Sequence, residues 1–129
     1  MHVRPVSATL PGMRRTVLIV DDHASFRSAA RAVLEEAGFE VVGDAVDGSS
    51  AVAAAQALHP AIVLLDIHLP DVDGFVVAER LSAIEPPPAV VLTSSRSVAS
   101  FRWRLGGTDL RFIPKSELSG DALAAAISG

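Results

Sequence analysis

Two short apolar runs end in carboxylates, and that pairing constrains the fold more than any other feature of the chain. Thr16-Val-Leu-Ile-Val20 runs into Asp21-Asp22, and Ala61-Ile-Val-Leu-Leu65 runs into Asp66. Both runs are rich in branched residues, and neither alternates apolar with polar. That pattern belongs to strands buried on both faces, as in parallel sheets packed between helices. The acids then stand where the strands emerge, and in open α/β sheets ligands bind outside the carboxyl ends of the strands. Pro70 and Gly74 turn the chain after Asp66, and Phe75-Val-Val-Ala-Glu-Arg-Leu81 begins a helix.

The remaining segments repeat the same unit. Phe26, Ala30, Val33 and Ala37 recur at helical spacing, and Gly38 stops that helix. Val41-Val42 is a short strand. Asp47-Gly48 is a turn, and Ser49 or Ser50 caps an alanine-rich helix that runs to Leu58 and ends at His59-Pro60. Pro86-Pro87-Pro88 is a stiff stop before a fourth strand, Ala89-Val-Val-Leu-Thr93. Val98, Phe101 and Leu105 give a helix over 97–105 one apolar face, and Gly106-Gly107 breaks it. Leu110 to Ile113 is a fifth strand, followed by Pro114-Lys115. Ser119 caps a last helix from Gly120 to Ile127. Strand and helix alternate five times, and right-handed crossovers turn that string into a doubly wound five-stranded parallel sheet with helices on both faces.

The chain has 129 residues, enough for one domain with a substantial core. Residues 1–15 carry Pro5, Pro11 and Gly12 without any period and read as a flexible tail; residues 16–129 form the domain. Half of the residues are hydrophobic, yet no apolar run approaches the roughly 18 residues that cross a bilayer. No secretory leader is recognisable, and the chain has no cysteine for a disulfide or thiolate site, so a cytoplasmic location is expected. Eleven Lys and Arg stand against fifteen Asp and Glu, a poor balance for neutralising many phosphates, so direct nucleic-acid binding by this chain alone is not expected.

The residues at the strand ends form a chemical set. The first strand supplies Asp21 and Asp22, the third Asp66, the fourth Thr93, and the fifth Lys115. If the strand order is 2-1-3-4-5, strands one and three flank the topological switch point, and the three carboxylates share one crevice. Clustered carboxylates repel, and a divalent cation relieves that repulsion; Mg²⁺ favours oxygen ligands and often meets a phosphate oxygen. An Asp can also act as the nucleophile in phosphoryl transfer, forming an aspartyl phosphate. The cation, Lys115 and the Thr93 hydroxyl would then serve three different phosphoryl oxygens.

On four elements the chain resembles the response-regulator receiver domains of two-component signalling: Val20-Asp21-Asp22, Leu65-Asp66-x-x-Leu69-Pro70-Asp71-x-Asp73-Gly74, Leu92-Thr93-Ser94 and Phe112-Ile113-Pro114-Lys115. Each is weak alone; all four in order on the expected strands are specific. The resemblance implies that Asp66 is the phosphoacceptor. It implies that Asp22 and Asp66 ligate Mg²⁺ directly, Asp21 mostly through water, and the main-chain carbonyl of His68 completes the protein ligands. Thr93 and Lys115 would bind the phosphoryl group, and Phe112 matches the switch aromatic that turns inward with the threonine. Two departures stand out. Members of the family often carry Pro directly after the lysine, frequently with a cis bond, whereas here Pro114 precedes Lys115 and Ser116 follows. Arg111 stands where a small Gly often precedes the switch aromatic.

Other features have plainer readings. Aligning Asp71-Val-Asp73-Gly74 to an EF-hand puts Leu69 at the first ligand position, so that reading fails, and Asp71 and Asp73 are turn residues. His23 stands at a helix start, His59 ends a helix, and the His68 ring points out of a loop. Trp103 falls off the apolar face of its helix, as a half-covered flank or as a partner surface with Arg102 and Arg104.

The expected function is a phosphorylatable signalling switch. It takes a phosphoryl group from a histidine kinase or phosphotransfer protein, and reads out through helix 97–105, strand five and the last helix. That 97–127 face would meet an output domain or a second copy in a homodimer. The alternatives are an enzyme that turns over an aspartyl phosphate, as a phosphatase or phosphotransferase, and an unphosphorylated docking module. The first strand lacks the Asp-x-Asp of the aspartyl-phosphate phosphatases, and the intact acid set disfavours the docking module. No catalysis beyond the domain's own phosphorylation and dephosphorylation is expected, and no membrane association.

Overall fold

In the computed structural model, residues 15–128 are described. The expected tail, residues 1–15, lies outside them apart from Arg15. Five strands, β1 (Thr16–Val20), β2 (Glu40–Ala45), β3 (Ile62–Asp66), β4 (Ala89–Ser94) and β5 (Arg111–Pro114), form one sheet in the order β2-β1-β3-β4-β5. Every pairing is parallel. The helices are α1 (Ala24–Glu36), α2 (Gly48–Leu58), α3 (Gly74–Leu81), α4 (Arg102–Leu105) and α5 (Gly120–Ser128), with short 3₁₀ segments at Val98–Ser100 and Lys115–Glu117. This is the doubly wound arrangement that the alternating string predicts.

The strand residues divide by parity, as a sheet covered on both sides requires. Val17, Ile19, Ile62, Leu64, Val91 and Ile113 pack with Ala30 and Leu34 of α1 and Leu123 of α5. Leu18, Val20, Val63, Leu65 and Leu92 pack on the other face with Ala51 and Ala55 of α2, Val77, Ala78 and Leu81 of α3, and Phe101. The central strand β3 is buried throughout, so Asp66 is carried into the interior by the run before it. On α1 the buried stripe is Ala30 and Leu34, and Val33 is turned outward at 38% exposure.

Several boundaries differ from expectation, each for a local reason. β2 extends to Ala45, because its ladder with β1 continues past Gly43 after a register shift. Asp47, rather than Ser49 or Ser50, caps α2: its carboxylate accepts from the Ser50 amide at 2.8 Å, and the Ser50 hydroxyl lies 3.3 Å from the Asp47 amide, a reciprocal capping box. His59 closes that helix in the left-handed region, at φ 49°. The expected helix over 97–105 is broken. Phe101 leaves helical geometry at φ −125° and ψ 2° and buries its ring to 5% exposure, leaving a 3₁₀ turn before it and one α turn after it. So short a segment, with no side-chain cap at Ser97, cannot hold itself helical against that pull. β5 starts at Arg111 rather than Leu110. Among the described residues the cis peptide is Glu85–Pro86, so the bonds flanking Lys115 are trans.

Candidate functional site

β1 and β3 deliver their acids to the same edge because they are hydrogen-bonded neighbours in register, Val20 opposite Leu65. Asp21 is fully buried, its amide donating to the Ala45 carbonyl at 3.0 Å and its own carbonyl accepting from Arg27 Nη1 at 2.7 Å. Asp22 is exposed. Asp66 is 2% exposed. β4 places Thr93 opposite Asp66 in the ladder, and the Ile67 amide donates to the Thr93 carbonyl at 3.0 Å. Just beyond β5, Lys115 reaches back across the edge. Its Nζ lies 2.6 Å from Asp21 Oδ2, 3.5 Å from Asp66 Oδ2 and 4.7 Å from the centre of the Phe26 ring. The five polar side chains expected at the strand ends are thus gathered at one edge of the sheet.

Two features of this edge are chemically informative. The Thr93 hydroxyl is buried and has no hydrogen-bond partner, which leaves its capacity to donate unspent. The Asp66 carboxyl is pushed above the ordinary carboxylate range, first by burial and then by the charge of Asp21. The His68 amide, donating to Asp66 Oδ1 at 3.2 Å, and Lys115 offset only part of that. A buried carboxylate in this state gains from added positive charge. Asp21, Asp22 and Asp66, with His23, each place one ligand atom within 4.8 Å of the others. Three carboxylate donors facing a single ammonium fit a hard divalent cation.

The loop after Asp66 is held tightly. Gly74 donates to the Ile67 carbonyl at 2.8 Å, and a Cβ at position 74 would lie 2.6 Å from the Asp66 carbonyl oxygen, so glycine is needed for this close approach. Asp73 caps α3 by accepting from the Phe75 amide at 2.7 Å. Asp71 accepts from the amides of Gly48 and Ser49 at 2.8 and 3.0 Å, tying the loop to the start of α2. Those amides hold the Asp71 carboxyl below its ordinary value, Gly48 most strongly. A cleft of about 420 Å³, lined by Asp22, His68, Asp71 and neighbouring loop residues, opens beside the acids. A larger groove, about 520 Å³, lies away from them between α3 and the starts of β4 and β5.

Two contacts have no counterpart in the sequence reading. The His23 ring does more than stand at a helix start: Nδ1 lies 3.0 Å from Asp21 Oδ1 and 3.1 Å from Asp22 Oδ1. Its place next to Asp21-Asp22 in a tight turn was the available signal. Arg104 makes a two-pronged bond to Asp73, at 2.9 and 3.0 Å, with its guanidinium 4.0 Å above the Phe75 ring. These partners are far apart in sequence, and no local pattern links them. Phe101 fills the space between, its ring centre 5.6 Å from His68, 6.4 Å from Phe75 and 5.8 Å from the half-buried Phe112. Trp103 is 80% exposed, well beyond a half-covered flank. Arg111 is engaged with the carbonyls of Ala126 and Asp109, at 3.0 and 2.6 Å.

Known proteins resemble the chain in fold and in sequence. The signal receiver domain of the putative response regulator NarL from Mycobacterium tuberculosis superposes with a TM-score of 0.74 at 28% identity, covering 90% of this chain and 98% of that one. The chain is 44% identical over 97 residues to protein-glutamate methylesterase/protein-glutamine glutaminase 2 of Anaeromyxobacter dehalogenans, covering 73% of this chain but 28% of that protein. It is 34% identical to the virulence factors putative positive transcription regulator BvgA of Bordetella pertussis, over 88% of this chain and 55% of that protein. The chain thus spans about half the length, or less, of these curated relatives. The response regulator receiver domain family matches residues 17–126. That stretch runs from β1 into α5 and takes in every strand end that builds the acid edge, and the chain belongs to this family.

Proposed function

We propose that this receiver domain works as a phosphoacceptor switch in which Asp66 takes the phosphoryl group. The observation that supports it best is the pairing at the ends of β3 and β4: a buried carboxylate with Lys115 Nζ 3.5 Å away, opposite a buried hydroxyl with no partner. In the transfer, an Asp66 oxygen bonds to phosphorus, the donor's P–N or P–O bond breaks, and the bond's electron pair leaves with the donor. Lys115 neutralises charge on one phosphoryl oxygen. Thr93 donates its free O–H to another, and Phe112 follows the space that Thr93 vacates. Asp21, Asp22 and Asp66, with the His68 carbonyl, would hold a divalent cation. When bound, Mg²⁺ supplies charge neutralisation between Asp66 and the incoming phosphoryl group.

The donor is a histidine kinase or phosphotransfer protein, and the domain spans residues 16–129. No helix among the described residues is long and apolar enough to cross a membrane; the proposed location is the cytoplasm. The output face is 97–127, through which an output domain or a second copy docks; within it Arg102 and Trp103 are exposed. The test is incubation with acetyl phosphate and Mg²⁺, followed by intact-mass measurement. One phosphoryl group, labile to base and to hydroxylamine as an acyl phosphate is, is expected in the parent and none in Asp66→Ala; equal labelling of the two would remove Asp66 from the role. Multiple turnover of a generic phosphate ester would favour an enzyme instead.

A further inference from the structure

We infer that His23 belongs to the cation site, and that its imidazole biases the site toward nitrogen-accepting transition ions such as Mn²⁺ and Co²⁺ over Mg²⁺. The inference rests on the cation reading above and adds a ligand and a selectivity to it. Its basis is geometric. His23 Nδ1 lies 3.0 Å from Asp21 Oδ1 and 3.1 Å from Asp22 Oδ1, and the set closes with Asp66 inside 4.8 Å.

The backbone holds this placement. The His23 amide donates to Asp21 Oδ1 at 2.8 Å, and its carbonyl accepts from the Arg27 amide at 3.1 Å as α1 begins. Arg27 also clamps the Asp21 carbonyl at 2.7 Å. The side chain is 64% exposed, so water is open to it, yet its Nδ1 lies between two carboxylates. The other described histidines serve as contrasts: the His68 ring packs against Phe101 at 5.6 Å, and His59 closes α2 in the left-handed region.

An imidazole with its proton on Nε2 presents a lone pair at Nδ1, the atom that here lies between the two carboxylates. Carboxylates serve Mg²⁺ and transition ions alike. Imidazole adds little for Mg²⁺, which takes oxygen and holds its waters, and adds much for later first-row ions. The three carboxyl groups face one lysine, a set that a divalent ion of either kind can join.

Calorimetric titration of the full chain with Mg²⁺, Mn²⁺ and Co²⁺ tests this, with His23→Ala and Asp22→Ala beside the parent. The parent should bind Co²⁺ more tightly than Mn²⁺, and Mn²⁺ more tightly than Mg²⁺. His23→Ala should weaken Co²⁺ by about tenfold or more, the lower end of what losing support at a metal site costs, while Mg²⁺ changes little. Pulsed electron paramagnetic resonance of the Mn²⁺-loaded parent should show a directly bound nitrogen. That reading needs no variant and stands even if His23→Ala folds poorly. Mn²⁺ bound without nitrogen coupling, or Co²⁺ and Mg²⁺ affinities that fall together in His23→Ala, would overturn the inference and leave the carboxylate site intact. A parent that binds none of the three ions would overturn the cation site itself, and the inference with it.

Discussion

Two neighbouring regions on the same edge of the sheet are held in different ways. Around Asp66 the chain is fixed by burial: β3 is covered on both faces, Asp21 is fully buried, and the loop through Gly74 is closed by backbone hydrogen bonds. Between Ser97 and Leu110 there is one α turn, one 3₁₀ turn and a single buried ring, Phe101. The second region leans on the first through one polar clamp, Arg104 on Asp73, and through the Phe101 contacts. The lesson is one of division of labour. The acids need fixed geometry, whereas a segment that reports on them needs few and breakable contacts, as regions of low local stability have.

The largest expected effect tests burial directly. Leu64→Ala, at a fully buried β3 position, should destabilise the domain by about 2–5 kcal/mol. Val98→Ala, at a position 38% exposed, should cost no more than about 0.5 kcal/mol. Urea unfolding of the two variants measures the ratio, and similar costs would erase the contrast between the regions. Gly74→Ala is next. The new Cβ would lie 2.6 Å from the Asp66 carbonyl oxygen and 2.7 Å from Ile67 Cα, and backbone cannot step aside as a flexible side-chain tip does. A cost of about 1–3 kcal/mol is expected, the range for an overpacked site, together with slower phosphorylation of Asp66.

The same division explains what was legible in the sequence. The strands around Asp66 announce themselves because the signal is local: an apolar run followed at once by an acid. The gathering of Asp21, Asp66, Thr93 and Lys115 follows once the strand order is 2-1-3-4-5, which the handedness of crossovers narrows but does not fix. The 97–110 segment is different, since its conformation depends on a Phe101 pocket built by residues far away. Its spacing still suggests a helix, which tertiary packing then breaks. Asp47 and Asp73 illustrate a smaller failure. Both are short acids at helix starts, yet only the structure shows which oxygen takes which amide and that Asp73 also holds Arg104.

The clamp between the regions is expected to be worth less than the core. Arg104 and Asp73 are each about a third exposed, so their coupling in a double-mutant cycle should be about 0.5–1 kcal/mol despite the two-pronged geometry. Its pH dependence has a definite sign. Burial pushes the Asp73 carboxyl up, but the Arg104 hydrogen bonds, the Phe75 amide and the Arg104 charge together hold it below its ordinary value. A carboxyl lowered in the folded state stabilises above its unfolded pKa, about 3.9, and loses that contribution as pH falls through the lower native value. Asp73→Asn, which keeps a capping oxygen, should therefore flatten the acid side of the melting-temperature profile in that window. An unchanged acid slope would mean that the clamp does not hold the segment.

The smallest effect on stability should come from Trp103, and it is the most direct probe of what the loose region does. At 80% exposure its ring supports little of the fold, and Trp103→Ala should shift stability by no more than about 0.5 kcal/mol. Its position matters more. Trp103 follows Phe101 by two residues, and the Phe101 ring touches both His68 in the Asp66 loop and Phe112 on β5. Phosphorylation adds about −1.5 to −2 charges beside the unpartnered Thr93 hydroxyl. If Thr93 turns to meet them, the space it leaves is open to Phe112, Phe101 must repack, and the turn carrying Trp103 moves with it. A packed core offers few intermediate positions, so the change should be two-state. As the only tryptophan in the chain, Trp103 reports it by fluorescence. Its emission should change on phosphorylation, Thr93→Ala should blunt the change while Asp66 still accepts phosphate, and Arg104→Ala should make it easier to obtain. A silent Trp103, with hydrogen exchange over residues 97–113 also unmoved, would place the output surface elsewhere on the domain.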